Sequence, residues 1–229
     1  MFLPLHDQNP LKIVPFQFVT VTIILINIAV FAWQAFLPLG DENSFVLGYG
    51  MVPAVLFDHS LLPPDIVRLP AEITLLTYMF LHTDVWHLLG NMLFLWVFAD
   101  NIEDAMGHFR FALFYLLCGI AAGLCHGLFE ADSIAPLIGA SGAAAGVLGA
   151  YLLLHPKVKI LVLLFGRLPL VLPAYLLIAG WVGLQLFALF YSDENISWWA
   201  HIGGFLVGAA LLPLLRDKSI PLLDRGTPH

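Results

Sequence analysis

The chain has 229 residues, 60% hydrophobic and 11% charged, with a net charge of −7. A water-soluble globule carries more polar surface than that, so the composition points to an integral membrane protein. The negative balance offers no basic face for nucleic acid.

Runs of about 20 apolar residues cross a hydrocarbon core of about 30 Å, and the chain holds six candidates, at 16–37, 86–102, 109–129, 138–154, 172–191 and 198–215. They use most of its length, so the expected architecture is a single all-α membrane domain, a six-helix bundle over 1–229. The first run is too long for the core of a signal peptide and is preceded by a single basic residue, Lys12, so it reads as a helix. Between the first and second runs, 38–85 mixes turn formers ("LLPPD") with apolar patches ("FVLGYGMVPAVLF") and is expected to lie partly in the membrane interface. With the N-terminus in the cytoplasm, Lys12, Arg110, Lys157, Lys159, Arg167, Arg216, Lys218 and Arg225 fall inside and only Arg68 outside. That bias puts both termini on the cytoplasmic side. Absence of further domains suits a bacterial inner membrane.

The second run opens with His87 and Asn91, the fourth carries Ser141 near its start, and the sixth carries His201 near its start. All three runs enter from the outer side, so the four polar groups share one depth. Polar side chains inside a membrane cost free energy, and their coincidence suggests a common, water-reached cavity. Gly142 with Gly146 and Gly204 with Gly208 form two GxxxG pairs that let backbones approach closely. His201, Gly204 and Gly208 follow i, i+3, i+7, which puts the imidazole on the close-packed face, toward Ser141.

Alone, Ser141 reads as a small packing residue. Beside a histidine it becomes the minimum unit for nucleophilic acyl transfer, because a neutral imidazole can take the hydroxyl proton during attack. His87 and Asn91, spaced i, i+4, could join the Ser141 backbone N–H in holding an oxyanion. The sixth run contains no Asp or Glu, so a Ser-His dyad is expected. Other candidates read as structural: His82 as support for the loop fold rather than for the oxyanion side, His126 and His155 as interfacial, Cys118 and Cys125 as buried thiols about 10 Å apart along a helix, too far for a disulfide. Asp100, Asn101 and Glu103 should anchor the inner end of the second run.

"GASGAAAG" (139–146), "HLLGN" (87–91) and "AHIGG" (200–204) resemble the GxSG, HxxxN and AHxxG motifs of the rhomboid intramembrane serine proteases, in the same order and on the same alternating helices. "FLHTDVWH" (80–87) and "DNIEDAMGHFRF" (100–111) are similar to family segments as well, so the resemblance covers the chain from about residue 72 to the end of the sixth run. It implies a rhomboid-like bundle in which Ser141 is the nucleophile and His201 the base, while His87 and Asn91 with Ser141 serve the oxyanion site. It further implies transmembrane protein substrates cut near their outer end, in contact with membrane lipid, with neither cofactor nor metal. Oligomeric state is not legible.

In one respect the chain departs from the family: where some members place an aromatic ring four positions after the serine, this sequence has Ala145. Trp198 and Trp199 are either partners of His201 or interface anchors. The fifth run, with Pro173, Gly180 and Gly183, and the segment "YSDENIS" (191–197) are the expected moving parts. A metalloprotease would need HExxH, which is missing, and an aspartyl protease two carboxylates at one membrane depth. A transporter would place its polar cluster at the midplane. The remaining alternative is a non-catalytic rhomboid-like protein that binds transmembrane clients.

Overall fold

The computed structural model describes residues 2–38, 40–164, 166–191 and 197–223. In chain order the elements are β1 (Phe2–Asp7), α1 (Phe18–Ala35), α2 (Asp41–Tyr49), α3 (Pro53–Leu56), α4 (Thr74–Thr77), α5 (Val85–Met106), α6 (His108–Phe129), α7 (Ser141–Leu154), β2 (Lys159–Leu164), β3 (Leu168–Pro173), α8 (Ala174–Tyr191) and α9 (Trp198–Leu215). Among the described residues, α1, α6 and α9 are long and apolar enough to cross a membrane. These helices make the chain a multi-pass membrane protein.

α7 is the central helix. Every residue from Gly142 to Tyr151 is buried, as expected of a helix apolar on all sides. α5, α6 and α9 surround it. Phe98, Phe111, Phe114, Tyr115, Tyr151 and Leu154 fill the space between them with almost no exposure.

The all-α expectation is corrected by a three-stranded antiparallel sheet in the order β1-β2-β3. Leu3 pairs with Leu163 and Leu161 with Val171. β1 slips register between Pro4 and His6, where proline has no N–H to give the ladder. The sheet also moves the start of the fifth helix from 172 to Ala174, so Leu172 and Pro173 end β3. Apolar runs of five or six residues have no periodicity that separates strand from helix, and Gly166, at φ +69°, turns the chain back between them.

Polar residues at the end of α5 fasten the N-terminal segment. α1 has no capping side chain of its own, and its orphan amides are taken by Glu103, which accepts from Val19 N at 2.9 Å, Thr20 N at 2.8 Å and Thr20 Oγ1 at 2.7 Å. His108 Nδ1 lies 2.5 Å from the same carboxylate. Asp104 accepts from the backbone N–H groups of Lys12, Ile13 and Val14. Asn101 donates to Asp7 Oδ2, as does the Tyr151 hydroxyl. Thus β1, the start of α1 and the ends of α5 and α7 lie at one end of the bundle. His155, expected at an interface, is buried there, edge-on to Tyr151 at 5.4 Å.

At the opposite end, the segment from α2 to α5 folds over the bundle. Met51 forms an isolated bridge with Leu137. The Tyr78 hydroxyl donates to Gly119 O at 2.7 Å, and Tyr78 O accepts from Gly139 N at 2.9 Å. Met51, Tyr78, Met79 and Leu81 are almost fully buried, so this segment is part of the scaffold that holds the turn before α7.

Candidate active site

Gly139 adopts φ +115°, a left-handed conformation that glycine tolerates, and this turn ends the extended approach to α7. The helix therefore starts at Ser141 rather than at 138. Ser141 occupies the first helical position, where backbone N–H groups have no intrahelical acceptor and the helix dipole favours negative charge.

Across from it, α9 presents His201. Its Nε2 lies 2.9 Å from Ser141 Oγ. The close approach comes from the paired glycines: a Cβ on Gly204 would collide with the Gly142 carbonyl, and one on Gly208 with the Gly146 backbone. α7 and α9 thus touch backbone to backbone over two turns, and the histidine one turn earlier is carried into hydrogen-bonding range.

α5 supplies the third wall. Asp84 caps it, accepting from Trp86 N at 2.8 Å and His87 N at 3.0 Å. The bond from the His87 amide is the main reason that the exposed Asp84 carboxyl sits below its ordinary value. The His87 ring packs on Gly139, where an added Cβ would lie 2.8 Å from Nε2 and 3.8 Å from Asn91 Nδ2. Thr83 Oγ1 lies 3.1 Å from His87 Nδ1, and Asn91 Nδ2 donates to His87 O at 3.2 Å. All four residues singled out in the sequence, Ser141, His201, His87 and Asn91, are therefore brought around the same glycine turn.

His82 stands behind His87, the rings 5.0 Å apart, while its backbone is held by Gln34. Burial pushes the His82 imidazole down to about 3, so it is neutral at physiological pH. Trp198 packs edge-on to His201 at 6.1 Å, whereas Trp199 stacks on Phe129 at 3.7 Å. Cys118 and Cys125 are free thiols.

One contact was missed by sequence reasoning. Gln185 of α8 places Oε1 2.9 Å from His201 Nδ1, and Trp181, one turn earlier, lies 5.8 Å from the imidazole. A signal existed: Gln185 is the sole carboxamide in an otherwise apolar α8, and polar groups in such a segment mark function. The segment 191–197 expected to move lies almost wholly outside the described residues.

Chemically, a hydroxyl hydrogen-bonded to an imidazole, at a helix N-terminus with amide and imidazole donors beside it, has the parts needed to attack a carbonyl and hold the resulting oxyanion.

Comparison with known proteins places the chain in a family. A family model described as the Rhomboid domain matches residues 71–218. The chain is 31% identical over 173 residues to Rhomboid protein 1, mitochondrial, of Saccharomyces cerevisiae, which covers 72% of this chain and 49% of the yeast protein. It is 28% identical over 236 residues to RHOMBOID-like protein 1 of Arabidopsis thaliana, covering 93% and 58%. Rhomboid-related protein 2 of Mus musculus is 29% identical over 140 residues, covering 59% and 45%. The chain spans about half the length of these relatives. With the family model matching well over half of its residues, the chain belongs to the rhomboid family of membrane proteins.

Proposed function

We propose that this chain is an intramembrane serine endopeptidase that cuts transmembrane protein substrates near their outer end. The observation that carries the reading is the 2.9 Å separation of Ser141 Oγ and His201 Nε2, on different helices of a membrane bundle. In this mechanism His201 takes the Ser141 proton as Oγ attacks the scissile carbonyl. The Ser141 N–H, His87 and Asn91 hold the oxyanion, and the proton passes to the leaving amine. Water then hydrolyses the acyl-enzyme through the same histidine.

α1 and α5 to α9 serve as six spans, with both termini on the cytoplasmic side, as the distribution of Lys and Arg supports. α7 has 14 residues, about 21 Å of helix against a core of about 30 Å. With its inner end at one face, Ser141 lies beneath the other, where a cavity open to the outside can deliver water.

A client helix enters sideways and must unwind locally, because a helical carbonyl is already hydrogen-bonded. Small or helix-weakening residues near the cut are therefore favoured. α8 is the candidate gate: Gly180 and Gly183 have open space where side chains would be.

The test is cleavage of a reconstituted single-span substrate. Ser141→Ala and His201→Ala each abolish cleavage while the fold persists, and a fluorophosphonate labels the parent but not Ser141→Ala. Parental cleavage by Ser141→Ala would remove the nucleophile. A folded parent that neither labels nor cleaves would instead be a rhomboid-like binder of transmembrane clients.

A further inference from the structure

A neutral imidazole has one N–H. For His201 to accept a proton from Ser141, Nε2 must carry the lone pair, so the proton must sit on Nδ1. That N–H lies inside the bundle, where a donor without an acceptor is costly. Serine hydrolases of the triad type meet this need with a carboxylate, but neither α8 nor α9 contains an Asp or Glu. Gln185 Oε1 is at the required point, 2.9 Å from Nδ1.

We propose that Gln185 is a positioning residue for the dyad: its carboxamide oxygen accepts the Nδ1–H of His201 and holds the imidazole in the tautomer and orientation that present Nε2 to Ser141. This role rests on the protease reading above. Three features support it. Gln185 is buried, 7% exposed, so water does not compete strongly for its oxygen. Trp181 and Gln185 are spaced i, i+4 and so share one face of α8, and both meet the histidine, the indole at 5.8 Å and the amide at 2.9 Å. Trp198 closes on the ring at 6.1 Å, so the imidazole is bounded by two indoles and tethered by one amide. This arrangement does the orienting that Ala145 cannot.

An amide suits the location. It accepts the same hydrogen bond as a carboxylate without placing a formal charge in an apolar helix. It also stabilises the imidazolium less than a carboxylate would. Because Gln185 sits on α8, the tether holds only while α8 is docked against α9.

The experiment compares the parent, Gln185→Met, Gln185→Glu and Ser141→Ala, each full-length and reconstituted with a single-span test substrate in phosphatidylethanolamine and phosphatidylglycerol vesicles. Methionine keeps the length but has no strong acceptor; glutamate keeps the acceptor. Gln185→Met should lower kcat about tenfold, the worth of one ordinary hydrogen bond. KM should stay at the parental value, and the thermal midpoint should fall by no more than the loss of one buried hydrogen bond. Gln185→Glu should return kcat to within about threefold of the parent.

A Gln185→Met enzyme with parental kcat overturns the assignment. So does an equal loss in both variants, or a loss that appears in KM rather than kcat, because each would make Gln185 a packing residue. These outcomes are separable from failure of the protease itself. If Ser141→Ala cleaves as the parent does, the dyad falls and this role with it. If Ser141→Ala is silent while Gln185→Met is unimpaired, only the role of Gln185 is lost.

Discussion

Replacing Gly204 by alanine tests whether backbone contact between α7 and α9 sets the distance of the reacting groups. A methyl at Gly204 would stand 2.9 Å from the Gly142 carbonyl carbon, 3.4 Å from Ala122 Cβ, and closer still to the Gly142 oxygen. Ordinary contact begins near 3.5 Å, so α9 must retreat by at least about 0.5 to 1 Å. The obstacle is backbone and cannot rotate aside. His201 is one turn away, and a retreat of that size stretches its 2.9 Å bond to Ser141 toward the limit of hydrogen bonding. Misplacement by about 1 Å costs roughly 10²-fold in rate. Stability changes less: overpacking costs about 1 to 3 kcal/mol, offset by about 1 kcal/mol of helix propensity. The matched control is Leu206→Ala on the same helix, whose side chain is 61% exposed. Cleavage of a reconstituted substrate should fall about 10²-fold in Gly204→Ala and stay parental in Leu206→Ala. Equal activity in the two variants would refute the packing argument.

Three further outcomes follow from particular contacts. Glu103→Ala strips the caps from Val19 and Thr20 and leaves buried donors unpaired; it should cost about 3 to 5 kcal/mol of stability, read as a lower thermal midpoint in detergent. Asn91→Ala removes one donor beside Gly139 and should slow cleavage by roughly 10² without ending it, measured as kcat on the same substrate. Burial is the main reason that the Asp7 carboxyl is pushed up to about 6 from its ordinary 3.8. A raised carboxyl contributes stability that is complete below 3.8 and lost as pH rises through about 6. Asp7→Asn should therefore raise the thermal midpoint relative to the parent at pH 8, by up to about 3 kcal/mol in stability, and give no such gain at pH 4.

The helical runs and the four polar residues at one depth were legible because each signal is local. An apolar run declares a span through its own length, and His201, Gly204 and Gly208 declare a shared face through helical spacing alone. The start of α7 was not marked: the apolar run begins at 138, and only the backbone angle of Gly139 shows that the helix begins at the serine. The sheet, the cap on α1 and the tether on His201 were not legible. β1 pairs with a strand more than 150 residues away, Glu103 reaches back 83 residues to cap Thr20, and Gln185 meets His201 across two helices. In each case the partner satisfies a group that its own neighbourhood leaves open: a strand edge, an orphan amide, an imidazole N–H. Such a demand is visible in the local sequence, but which distant residue answers it depends on how the helices pack, because hydrogen bonds are made between atoms that meet in space.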